Sequence, residues 1–243
     1  MRGRNYCFLM NVPFCFFAES NLRYVIHQAT PEAIVILICL MFFSLFAWST
    51  MIFKALQMSR ARKLNLFFDS EFRSEPNVLG IFDRKLQVEG CPMFTVYEQG
   101  CIELDSRLKG PEGRKKHISL KSMEHIKRTL ENEVARQSIK LESGLILLAI
   151  AVSGAPFLGL LGTVWGVMDT FAMVGQKQRA DLPTMAPGVS AALITTVAGL
   201  LVAIPSMFGY NGLVHNLRVR TVELDNFSQE MVSKIETEYL ADE

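Results

Sequence analysis

Three threonines, Thr163, Thr195 and Thr196, stand well inside long stretches without a charged residue, and Asp169 follows the first of them by six positions. A hydroxyl in an apolar medium can accept and donate a hydrogen bond, so such residues can line a polar path for a cation. They do not titrate near neutral pH. Moving a proton through a membrane takes an ionisable group or a continuous polar route, and residues 33–53, 143–168 and 182–213 hold no Asp, Glu, Lys, Arg or His. If protons cross beside this chain, the titrating carboxyl must come from another polypeptide. The plainer reading of each threonine is a hydroxyl bonded back to a carbonyl of its own helix. Asp169, at the end of its uncharged stretch, reads as an acid at the aqueous interface or at the mouth of an ion path.

Other chemistries lack their residues. The sequence has no GxxxxGK[ST], no Gly-x-Ser-x-Gly elbow, and no zinc spacing among His27, His117, His125 and His215. Cys7, Cys15, Cys39, Cys91 and Cys101 form neither CxxC pairs nor a disulfide framework, so they read as free or buried thiols. A net charge of +1 with scattered Lys and Arg makes no case for nucleic acid. We assign no catalytic residue, metal ligand or cofactor, and expect a protein that is not an enzyme.

The elements that must position the hydroxyls are membrane spans. A bilayer core takes about 20 apolar residues at 1.5 Å each, and all three uncharged stretches are long enough. Lys54, Arg60, Arg62 and Lys63 follow the first span, whereas only Arg23 precedes it closely; Arg218 and Arg220 follow the third. By the positive-inside rule the N-terminus faces out and the C-terminus faces the cytoplasm, with only Lys177 and Arg179 on the outer loop. The expected layout is an outer or interfacial segment 1–30, a first span 31–53, a cytoplasmic helical region 54–143 and a second span 144–173. A short outer loop 174–181, a third span 182–212 and a cytoplasmic helix 213–243 complete it. Arg2 and Arg4 before an apolar patch suggest a signal peptide, but Asn11, Pro13 and Phe16 favour a retained segment.

In the polar regions, Met123, Ile126, Leu130, Val134 and Leu141 recur at helical spacing, as do Leu213, Leu217, Leu224, Phe227, Met231 and Ile235. With no Gly or Pro between Gly113 and Gly144, the first of these helices is predicted to run straight into the second span. The fold class is therefore all-α, a three-span membrane protein with long helical extensions.

The spans differ in kind. The first is bulky and suits a lipid-facing helix. The second carries Gly159, Gly162, Thr163, Gly166 and Thr170 on one face, and the third carries Gly188, Ala192, Thr195, Gly199 and Ser206 on one face. Small faces let backbones approach closely. Two such helices in one small chain favour a larger assembly around a shared interior over packing within a lone three-helix protomer. Pro156, Pro187 and Pro205 suit spans supported by neighbouring helices.

The segments SGAPFLGLLGTVWGVMDTF (153–171) and APGVSAALITTVAGLLVAIPSMFGYN (186–211) resemble the TolQ/ExbB/MotA proton-channel family, in its TolQ/ExbB branch, and the likeness extends more loosely over residues 30–240. The resemblance implies an inner-membrane subunit, five copies of which form a ring around single-span partners of the ExbD/TolR kind. Each partner supplies a membrane aspartate, and a TonB- or TolA-like protein is a further partner. Proton flow past that aspartate would drive transport or envelope processes at the outer membrane. The resemblance matches Thr163 and Thr196 to the channel lining, with Thr195 an additional hydroxyl beside them. Gly159, Gly162, Gly166, Ala192 and Gly199 become helix-packing or pore-facing positions. One departure stands out: ExbB and TolQ commonly carry a glutamate where this chain has Ala191. That change motivates a second reading, a non-conducting structural scaffold. A small-solute transporter is disfavoured, since three spans without an inverted repeat offer no midplane site.

Overall fold

A computed structural model describes residues 31–110, 113–114, 117–177 and 182–240. The N-terminal segment with Cys7 and Cys15, and Arg179 of the outer loop, lie outside the described residues.

Among the described residues the chain is all-α apart from a two-residue antiparallel ladder and an isolated bridge between Ile118 and Leu240. Helix α1 (Pro31–Ser74) opens with Pro at the first helical position and Glu32 in the first turn, both suited to a helix start. It stops where Glu75-Pro76 disfavours helical backbone. A short α2 (Gly80–Asp83) leads to α3 (Pro92–Leu108), which begins with Pro92 and the Cys91 sulfur accepting from the Phe94 N–H. Strands β1 (Lys109–Gly110) and β2 (Gly113–Arg114) precede α4 (Leu120–Glu142), N-capped by Ser119. Two long helices follow, α5 (Leu145–Lys177) and α6 (Leu182–Tyr239). Helices α1, α5 and α6 are long and apolar enough to cross a membrane.

Two expectations are corrected here. Helix α4 does not continue into α5: the chain turns at Ser143 and Gly144, whose φ of 86° is cheap only for glycine. Lys54 Nζ donates to Leu141 O at 3.2 Å, satisfying a carbonyl that the break leaves open. Residues 174–177, read as loop, belong to α5.

The structure divides into two compact units. The span unit comprises residues up to Ala47 with Ala149–Met207, and the bundle unit comprises Trp48–Leu148 with Phe208–Glu243. In the span unit, Ile36 and Leu40 of α1 pack with Ala155 of α5 and Ala203 of α6. The bundle core centres on an aromatic cluster in which the Phe68 ring stands 5.5 Å from Phe94 and 5.3 Å from Tyr97, and Phe72 stands 5.0 Å from Phe227. Every amphipathic position named for α4 and the end of α6 is buried. Lys234 on α6 donates to Glu75 O at 2.5 Å and lies 4.5 Å over the Phe72 ring, which ties down the end of α1.

Candidate functional site

The site lies in the span unit, along the seam between α5 and α6. Glycines set the spacing. A Cβ at Gly159 would stand 2.8 Å from Thr195 O and 2.9 Å from Thr196 Cα; one at Gly199 would stand 2.6 Å from Ala155 O. A Cβ at Gly166 would meet Ala192 Cβ at 2.8 Å, and one at Gly162 would collide with the Thr195 side chain. At each of these points only hydrogen leaves room for the opposite helix. Thus Gly159, Gly162, Gly166, Ala192 and Gly199 are packing positions within one chain. The small faces join α5 to α6 rather than standing open for other copies, which removes them as an argument for assembly.

The hydroxyls sort by what they bond. Thr170 donates to Gly166 O and Thr163 to Leu160 O, each at 2.7 Å, so both satisfy the plain reading of a membrane threonine. Thr195 is 0 % exposed, with its oxygen 2.7 Å from Ala192 O and 3.0 Å from Gly159 O. It is an enclosed clasp between the helices. Thr196 is different. Its oxygen lies 3.1 Å from Gly159 O and 3.4 Å from Thr163 Oγ1, both on the neighbouring helix.

Thr163 and Thr196 are half-buried, at the edge of the seam. With Gly159 O and Leu160 O they form a polar ledge beside wholly apolar exposed residues such as Leu160, Val164 and Leu200. Thr163 has spent its proton on Leu160 O and can only accept from Thr196, whose single proton lies between Gly159 O and the Thr163 oxygen. Neither group titrates. Asp169 is half-buried, and at 3.6 residues per turn it lies on a different face of α5 from Thr163. Ala191 is buried beside the packing residue Ala192. Among the described residues no group of three or more His, Cys, Asp or Glu side chains could hold a metal.

The Thr163–Thr196 pairing had a signal in the sequence, two hydroxyls deep in uncharged runs. The clasp role of Thr195 had none, because its direction depends on the register between α5 and α6.

Residues 105–226 match the MotA/TolQ/ExbB proton channel family. The Tol-Pal system protein TolQ of Haemophilus influenzae is 31% identical over 222 residues, which covers 89% of this chain and 94% of the relative. The biopolymer transport protein ExbB of Neisseria meningitidis is 25% identical over 213 residues, covering 87% of this chain and 95% of the relative. A shorter match, 44% identical over 89 residues, is to the TolQ of Pseudomonas aeruginosa and covers 37% of this chain and 38% of that one.

Proposed function

The chain belongs to the MotA/TolQ/ExbB proton channel family, in its TolQ/ExbB branch, and on that footing we propose that it is a proton-channel subunit of an inner-membrane motor. It is a multi-pass membrane protein of an energy-transducing kind. Copies of the chain, five in the expected ring, would surround single-span helices of the ExbD/TolR type. The N-terminus would face the periplasm and the C-terminus the cytoplasm. A TonB- or TolA-like protein would carry the resulting force to the outer membrane for energised transport or envelope upkeep.

One observation carries this reading: the Thr163–Thr196 hydroxyl pair bridges α5 and α6 at the edge of their seam, in spans whose interior holds no carboxylate. A hydroxyl ledge without an acid suits a subunit that lines a path while a partner's aspartate binds and releases the proton. Asp169 would stand nearer the mouth of that path. Thr195 would act by holding the two helices in register, not by facing the ion. The energy source follows from electrostatics, since a cation crossing the membrane releases about 2.3 kcal/mol per 100 mV.

Ala191 favours the second reading, a scaffold that has lost conduction. The experiment that separates them is purification of the chain with its genomic neighbours. The motor reading expects a small single-span protein to copurify, and replacing that partner's membrane aspartate with asparagine to abolish function while the complex stays intact. Retained function with the asparagine partner would favour the scaffold.

A further inference from the structure

A groove of about 580 Å³ opens in the bundle unit between α1, the corner at residues 89–95 and the end of α4. Its apolar wall includes Phe53, Leu56 and Leu141, and its basic residues are Arg60 and Lys140, against Glu89 as the single acid. Neither the Arg60 guanidinium nor the Lys140 ammonium has a hydrogen-bond or ion-pair partner among the described residues.

A third cation stands behind the wall. Lys54 is 4 % exposed, and its ammonium donates to Gln57 Oε1 at 2.9 Å and Leu141 O at 3.2 Å, both neutral and both on residues lining the groove. The carbonyl end of α4 offsets part of the charge. No carboxylate among the described residues forms an ion pair with it, and a buried charge without a paired counter-charge is costly. The lining itself carries a net +1, Arg60 and Lys140 less Glu89, and Lys54 behind it adds a second positive charge.

Position identifies the kind of anion. Phe53 ends the uncharged run of α1 and Lys54 is the first charge after it, so the groove begins where α1 leaves the hydrocarbon. Phe53 and Leu56 are exposed apolar side chains at that level. Basic groups above an apolar ledge at a membrane interface match an acidic lipid.

We propose that this groove binds an anionic phospholipid, with its phosphate on Arg60 and Lys140 and its acyl chains along Phe53 and Leu56. The bound headgroup supplies the counter-charge that Lys54 lacks.

The test uses the full chain, delipidated in a neutral detergent and titrated with phosphatidylglycerol or phosphatidylcholine, with bound lipid counted by native mass spectrometry. The wild-type chain retains phosphatidylglycerol in preference. Arg60→Gln and Lys140→Gln each weaken that binding about fivefold, the equivalent of ~1 kcal/mol per basic residue, and leave phosphatidylcholine unchanged. Arg62→Gln, an exposed base outside the groove, changes nothing. Thermal melting of each variant shows whether it folds, and the two single variants keep the test open if one does not. Equal phosphatidylglycerol binding in folded R60Q and K140Q would overturn the proposal. So would a change in self-association without lipid dependence, which would assign the groove to a second copy of the chain.

Discussion

The hydroxyl of Thr196 on α6 lies 3.4 Å from that of Thr163 on α5, across a seam that glycine keeps narrow. Thr163 points its own proton at Leu160 O, so it meets Thr196 as an acceptor. The pairing depends on the register between the helices, and that register depends on hydrogen where other residues would carry a Cβ.

Gly159→Ala should therefore separate the seam. The new methyl would meet backbone atoms of Thr195 and Thr196, which cannot rotate away. Overpacking of this kind costs about 1–3 kcal/mol. Gly175→Ala, with nothing within 4 Å of the added Cβ, is the matched control and should be neutral or slightly stabilising. Thermal unfolding in detergent checks both, and equal melting temperatures would contradict the seam as described.

Tyr97→Phe tests the bundle unit. The Tyr97 hydroxyl donates to Val78 O at 2.6 Å and accepts the Phe82 N–H at 3.0 Å. Phenylalanine keeps the ring among Phe68, Phe72 and Phe94 but strands the Phe82 N–H and leaves Val78 O only the weak Cys101 thiol donor, a loss of about 1–3 kcal/mol. Chemical denaturation should show a lower midpoint with an unchanged slope.

The bundle should also weaken in alkali. Burial pushes the Cys101 thiol up to about 12, and burial also raises the Tyr97 phenol. Such groups stay protonated in the fold while the unfolded chain ionises, so their contribution is intact below the unfolded thiol value. It is lost as pH rises from about 9 toward 12. Cys101→Ala should flatten that part of the stability profile. An unchanged slope between those values would contradict the burial assigned to Cys101.

Much of this was legible beforehand. Uncharged runs mark α1, α5 and α6 because charge is expelled from hydrocarbon, and the 3–4–7 spacing of Met123 to Val134 marks a buried face because only that face meets the core. Helix α3 had no such mark. Its buried face includes Gly100, Cys101 and Asp105, and a Cβ at Gly100 would run into the Leu130 and Met231 side chains. Small and polar core residues blur the periodicity. The break at Gly144 was hidden for a similar reason, since one glycine in a helical pattern does not declare its φ. The small faces of α5 and α6 announced close neighbours without saying whose; the answer was each other.

In the proposed motor, Thr163 and Thr196 line the ion route while a partner brings the acid. Proton flux into liposomes holding the chain together with the proposed single-span partner tests this directly. The measurement compares wild type with T163V, T196V and the double variant, which keep shape and remove the hydroxyls. We predict that the variants assemble normally and lose most of the flux. Undiminished flux in the intact double-variant complex would contradict the account.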